Sequence, residues 1–86
     1  MSVDRDTVME KVRQHLATEL GVDPAAIGEG TSFREDLDAD SLDLYELVME
    51  LEDTYGIKVS EEEAARIETV GQAVDFVLSR LPAGMT

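Results

Sequence analysis

The sequence predicts an all-α fold: a small four-helix bundle with three longer helices, one short helix and a long first loop. Apolar residues recur at helical spacing in three segments, and residues that cap helices precede the predicted helices. The chain has 86 residues, of which 43% are hydrophobic, which is enough for one modest globular core. Because no repeat, low-complexity run or linker divides it, we expect a single domain over residues 1–86, with its core at about 4–81 and a flexible tail at 82–86.

The first predicted helix covers residues 4–20. Its apolar residues form a row at i, i+4 spacing, which is typical of a helix buried along one side: Val8, Val12, Leu16 and Leu20. Asp4 or Asp6 can cap its start, and Gly21 can end it. The connection that follows, residues 21–39, has no sustained period. Connections of this length are usually functional or locally folded, so we expect its scattered apolar residues to anchor it across the helices.

The second predicted helix, residues 40–55, has apolar residues on two sides. One side is sufficient to face a core: Leu44, Leu47, Val48, Leu51 and Tyr55. On roughly the opposite side, Leu42, Tyr45 and Met49 form a row at i, i+3, i+7, framed by carboxylates. We call these three residues the second apolar row. A helix in a small bundle needs one buried stripe, so this row either meets a partner protein or is covered as core by the 21–39 connection.

Two capping boxes start the remaining helices. Ser60 and Glu63 form the first, before a short third helix over about 61–67. Thr69 and Gln72 repeat the device before the last helix, and Pro82 closes that helix.

The negative charge is concentrated in the middle of the chain. The formal net charge is −13, and residues 29–63 hold 13 acidic and two basic side chains, a local net charge of −11. This charge repels phosphate backbones, so we expect no nucleic-acid partner and no binding to anionic membranes. A basic protein surface is the natural complement. The alternative is a solvated acidic surface with no partner.

The composition excludes most catalytic chemistry. Cysteine is absent, which removes disulfides, thiolate metal sites and cysteine nucleophiles, and His15 is the one histidine. Asp36, Asp38 and Asp40 alternate as in a calcium loop, but such a loop needs Gly where Ser41 stands. We therefore predict no metal site. No secretory signal or membrane-spanning run is visible, so we expect a soluble, cytoplasmic protein.

Ser41 is the candidate site for a covalent group. With Asp40 as N-cap, its hydroxyl projects near the positive end of the helix dipole, where a phosphodiester is locally compatible. A catalytic serine needs an oriented base within reach, and nothing indicates that His15 approaches it. We therefore predict no catalytic residue. The alternative is that Ser41 is an ordinary first-turn residue and His15 a packing residue.

The motif Asp40-Ser41-Leu42-Asp43, followed by Glu46-Leu47-Val48-Met49, resembles the acyl carrier proteins of type II (dissociated) bacterial fatty-acid synthesis. The resemblance covers essentially the whole chain, including Thr69-Val70 at the start of the last helix. It implies an acyl-carrier fold in which a separate phosphopantetheinyl transferase moves phosphopantetheine from coenzyme A to Ser41. The arm would bring the thiol that this chain lacks, and growing acyl chains would travel on it as thioesters between the enzymes of fatty-acid synthesis.

The same resemblance implies which residues meet partner enzymes and their basic patches. The acidic positions are Asp40, Asp43, Glu46, Glu52 and Asp53, and the apolar ones are Leu42, Tyr45, Met49 and Ile67. It also implies a monomer that is not itself an enzyme, with an acyl chain able to fold back between the helices. Asp38 stands where such carriers often have Gly, and Tyr45 where a smaller aliphatic is common. Two alternatives remain: a carrier for a polyketide or other specialised pathway, and an unmodified acidic helical adaptor.

Overall fold

A computed structural model describes residues 4–81, and they form four α-helices in the predicted order. These are α1 (Arg5–Leu20), α2 (Ser41–Tyr55), α3 (Glu61–Ala65) and α4 (Val70–Arg80), with a 3-10 turn at Pro24–Ala26. The all-α prediction is confirmed; within residues 4–81 the β pairing is one isolated bridge between Ser32 and Thr69. No helix in that range has the length and apolar character to cross a bilayer. The predicted tail at 82–86 and the closing role of Pro82 lie outside the described residues.

The helix starts follow the local capping chemistry that the sequence predicts. Asp4, rather than Asp6, caps α1 by accepting from the Thr7 amide at 2.8 Å. Capping boxes with both hydrogen bonds present start the other three helices, at Asp40, Ser60 and Thr69. At the other end, α1 and α2 stop at glycines in the left-handed conformation, Gly21 and Gly56.

The third helix is shorter than predicted. The Ile67 amide donates to the Ala64 carbonyl and the Arg66 amide to the Glu63 carbonyl, at 3.1 Å each, so the backbone tightens after Ala65. Ile67 therefore lies beyond the helix, where it turns into the core with 5% of its surface exposed.

One apolar core joins all four helices. α1 packs against α4 and α2, and α3 packs against α2. The fully buried centre consists of valines and leucines from three helices: Val8, Val12, Leu47, Val70 and Val74. Burial of a side chain of this size contributes about 1.5–3 kcal/mol, so these apolar stripes hold the bundle together.

The long connection is bound to the bundle by backbone hydrogen bonds to the start of α4. The Val70 amide donates to the Thr31 carbonyl at 3.0 Å, and the Gly71 amide donates to the Glu29 carbonyl at 2.8 Å. Phe33 and Ile27 are only 2% and 1% exposed, and they anchor the connection as expected. The connection is therefore held against the bundle, and it ends immediately before Asp40 and Ser41.

Candidate functional site

Ser41 is the first residue of α2, and its side chain is exposed. The preceding Asp40 caps the helix by accepting from the Asp43 amide at 2.9 Å, and the Asp40 amide donates to the Asp43 carboxylate at 3.1 Å. Because these two aspartates satisfy the helix start, the Ser41 hydroxyl is not needed for capping. A reciprocal cap therefore fixes its backbone while leaving the hydroxyl accessible.

The backbone just before Ser41 is held in a closed turn. The Ala39 amide donates to the Phe33 carbonyl at 2.7 Å, and the Ser32 amide donates to the Asp36 carboxylate at 2.7 Å. Asp38 has φ of 53°, the one non-glycine residue with positive φ in the described part of the chain. Aspartate tolerates this left-handed conformation better than most residues, but glycine adopts it without steric cost.

A cleft of about 340 Å³ opens beside Ser41, between the connection, α2 and the segment after α3. Its apolar walls come from Phe33, Ala39, Leu44, Tyr45, Ala65 and Ile67. Its polar rim consists of Ser32, Arg34, Glu35, Asp40, Ser41 and Glu68. A group attached to the Ser41 hydroxyl therefore leaves α2 at the edge of a partly apolar groove.

The second apolar row is exposed on α2. Leu42 and Met49 are 64% and 63% exposed, and Tyr45 is 37% exposed. The long connection does not cover these side chains, so the alternative that they form core is wrong. The opposite side of α2 buries Leu47 and Leu51 as predicted.

A family profile described as a phosphopantetheine attachment site matches residues 10–77, which include Ser41 and the whole cleft. The chain is also 47% identical over 81 residues to the acyl carrier protein of Rubrobacter xylanophilus, covering 94% of this chain and all of that protein. The chain belongs to the acyl carrier protein family. As a member, it is a carrier with a phosphopantetheine group and not a catalyst.

Two solved structures share the fold. The acyl carrier protein of Enterococcus faecalis is 36% identical, with a TM-score of 0.78 over 91% of this chain and 99% of that one. The acyl carrier protein of Thermotoga maritima is 29% identical, with a TM-score of 0.77 over 88% of both chains. The acyl-carrier fold expected from the resemblance is confirmed.

The residues around Ser41 fit a phosphopantetheine group. The exposed hydroxyl offers the ester oxygen, and Arg34 is the one basic side chain among those that line the cleft. The arm supplies a terminal thiol for thioester formation, a group that the cysteine-free carrier lacks. His15 does not line the cleft, and its Nε2 atom is buried without a hydrogen-bond partner among residues 4–81. The side chains that line the cleft therefore include no imidazole base for Ser41.

The predicted acidic partner residues differ in what they contact. Asp40 and Asp43 pair in the cap, whereas Glu46 and Asp53 are exposed and make no salt bridge among the described residues. Glu52 is half-buried, and its carboxylate accepts from the Val59 amide at 2.9 Å. Within residues 4–81, no group of three His, Asp or Glu side chains is placed to hold a metal ion.

Most of the residues that line the cleft were not predicted from the sequence. Ala65 and Glu68 line the cleft and were not predicted. Ile67 was predicted to contact partner enzymes, and that prediction is wrong for the exposed surface, because Ile67 is buried in the cleft wall. Tyr45 could have been placed there from its spacing alone, because residues four apart on a helix are neighbours. No local signal in the sequence indicates that Ala65 and Glu68 lie at the cleft, or that Ile67 is buried there.

Proposed function

We propose that Ser41 accepts phosphopantetheine from coenzyme A through a separate phosphopantetheinyl transferase. The loaded carrier then takes growing acyl chains, as thioesters, between the enzymes of type II fatty-acid synthesis. The observation that carries this proposal is the exposed Ser41 hydroxyl at the first residue of α2, beside the cleft and inside the matched attachment-site profile.

The transfer step needs a base that accepts the proton of the Ser41 hydroxyl. The Ser41 oxygen forms a bond to the phosphorus atom that carries the pantetheine, and the bond from that phosphorus to the bridging oxygen of the diphosphate breaks. Adenosine 3′,5′-bisphosphate leaves with the electron pair. The Ser41 proton passes to a general base, and we assign that base to the transferase, because the side chains that line the cleft include carboxylates but no imidazole. A separate transferase is consistent with this division of labour.

The surface around Ser41 supports docking to basic partners. Glu46 and Asp53 are exposed on α2, near the second apolar row. Opposite charges across an interface mainly raise the association rate. Exposed apolar side chains become buried in the centre of the interface and stabilise the complex. The partner enzymes of this carrier therefore carry a basic patch around an apolar centre. A monomeric, cytoplasmic carrier remains our prediction.

The cleft offers shelter to an attached acyl chain. Each buried methylene contributes about 0.8 kcal/mol, and the walls of Phe33, Leu44 and Ile67 are apolar. Transfer to an enzyme then requires the chain to leave the cleft, so a tighter packing around Leu44 should reduce the sheltering.

Intact mass spectrometry tests the attachment. The purified chain is incubated with coenzyme A and a phosphopantetheinyl transferase, and we expect a gain of one phosphopantetheine. Ser41→Ala should show no gain. Ser32→Ala is the matched control, because Ser32 lines the same cleft while its hydroxyl accepts from the Glu35 amide at 3.1 Å. An unchanged mass for the wild-type chain would refute the proposal.

The docking surface is tested by charge reversal. Glu46→Lys and Asp53→Lys should slow association with the transferase and with a condensing enzyme, most strongly at low salt. Glu19→Lys changes the charge equally at an exposed position of α1 and is the control. Equal association rates for all three variants would remove the electrostatic part of the proposal.

Acceptance of the loaded carrier by fatty-acid enzymes, but not by polyketide enzymes, separates the two pathways.

A further inference from the structure

Tyr45 lies one helical turn after Ser41 on α2. Residues at i and i+4 are neighbours on a helix surface, with about 5–6 Å between their Cβ atoms. Helical side chains also tilt toward the N-terminus, so a long side chain covers the turn that precedes it. Both effects direct the Tyr45 ring toward the Ser41 side chain, and both residues line the same cleft.

Tyr45 differs from its neighbours in the second apolar row. Leu42 and Met49 are 64% and 63% exposed and do not line the cleft, whereas Tyr45 is 37% exposed and does. One part of the Tyr45 side chain therefore belongs to the cleft wall and another to the outer surface of α2. Among the three apolar side chains of the row, Tyr45 alone is placed to contact a group attached to Ser41.

We propose that the Tyr45 ring packs against the first apolar part of the phosphopantetheine arm and positions the arm along the cleft. This inference rests on the proposed attachment to Ser41. The first apolar part of the arm is a carbon with two methyl groups, and a phosphorus, an oxygen and a methylene carbon separate it from the serine oxygen. Three linking atoms match a spacing of one helical turn, and an aromatic face is a favourable contact for methyl groups. Tyr45 acts as a positioning residue and takes no part in thioester chemistry.

The other cleft walls are consistent with this contact. Across the cleft from α2, Ala65 and Ile67 present aliphatic side chains, and Arg34 offers a positive charge for the phosphodiester. The methyl-bearing carbon would thus lie between an aromatic and an aliphatic wall, with the phosphate at the polar rim. The competing possibility is that the ring serves only to contact partner enzymes and leaves the arm in solvent.

Proton NMR of the loaded carrier separates these possibilities. The two arm methyl resonances should lie upfield of their positions in free phosphopantetheine, because a proton above an aromatic ring is shielded. They should also show cross-relaxation with the Tyr45 ring protons. Tyr45→Phe keeps the ring and should preserve the shift, whereas Tyr45→Leu should return both resonances toward the free positions. Met49→Leu changes an exposed residue of the same row outside the cleft and should leave both methyl resonances where they are in the wild type.

The outcomes distinguish this inference from the attachment itself. A chain that gains no arm by mass refutes the proposed function and leaves no arm to observe. A chain that gains the arm, with methyl resonances at their free positions and unaffected by Tyr45→Leu, refutes the contact alone and leaves Tyr45 as a docking residue. If far-UV circular dichroism shows that Tyr45→Leu does not fold, the wild type and Tyr45→Phe test the contact. Cross-relaxation between the arm methyl protons and the ring protons supports it, and its absence in both refutes it.

Discussion

Replacing Gly71 with alanine tests how the long connection is attached to α4. A Cβ atom at position 71 would lie 2.9 Å from the carbonyl oxygen of Glu29 and 3.2 Å from its Cβ. The Gly71 amide already donates to that carbonyl at 2.8 Å. Because the nearest contact is a backbone atom, a change of side-chain rotamer cannot relieve it. The connection itself has to move away from the helix.

The expected loss of stability is the sum of two destabilising effects and one stabilising effect. Overpacking of a tight site costs about 1–3 kcal/mol, and a weakened hydrogen bond adds about 1 kcal/mol. Alanine gains at most about 1 kcal/mol over glycine in a helix interior, and less in the first turn, where Gly71 lies. The net loss is therefore about 1–3 kcal/mol, and each kcal/mol lowers the Tm of a domain this small by about 4–8 °C.

Urea unfolding followed by far-UV circular dichroism, at one fixed salt concentration, measures this loss. Gly28→Ala is the matched control within the same connection. Its added Cβ would meet only the Thr31 hydroxyl oxygen, at an ordinary contact distance of 3.8 Å. That variant should be unchanged, or stabilised by up to about 1 kcal/mol. If Gly71→Ala proves as stable as Gly28→Ala, the close approach does not constrain the connection.

Three further changes test the electrostatics and backbone of the carrier. A hydrogen bond from Lys11 lowers the pKa of Glu50 below 4.5, its ordinary value; the wild type should therefore exceed Glu50→Gln in stability above about pH 4.5. That difference should vanish as pH falls through the lowered pKa. Glu46→Gln removes no salt bridge among the described residues and should not lose stability at neutral pH, as measured by urea unfolding. Asp38→Gly should raise the free energy of unfolding by up to about 1 kcal/mol by relieving the left-handed backbone. Asp38→Ala loses the same charge but keeps a Cβ, and equal stability of the two variants would contradict backbone strain. Added salt or magnesium should raise the Tm, because the net charge of −11 in residues 29–63 repels itself; a Tm insensitive to both would contradict this.

The starts of the helices could be predicted because their signals are local. Asp40 with Asp43, Ser60 with Glu63 and Thr69 with Gln72 each form a cap within four residues of chain. The apolar spacing of α2 likewise separated its core side from its exposed row, because both patterns repeat within one helix.

The cleft could not be predicted, because contacts between distant parts of the chain form it. The Phe33 amide donates to the Glu68 carbonyl at 3.0 Å, and this bond brings the connection against the segment after α3. The sequence indicates that Phe33 is an apolar anchor, but no signal in it pairs Phe33 with Glu68. The burial of Ile67 depends in turn on where α3 ends, and no glycine or proline marks that end in the sequence.

The capping box of α2 determines which acidic residues can report on docking. Asp40 and Asp43 hold the backbone that presents Ser41, so reversing either charge would remove a cap as well as a surface charge. Loss of such a cap costs about 0.5–2 kcal/mol, and the resulting fraying would move the attachment serine. A defect at either position therefore mixes presentation of the hydroxyl with attraction of the partner. Glu46 and Asp53 make no comparable hydrogen bond to the backbone among residues 4–81, so the electrostatic contribution to docking is read from them alone.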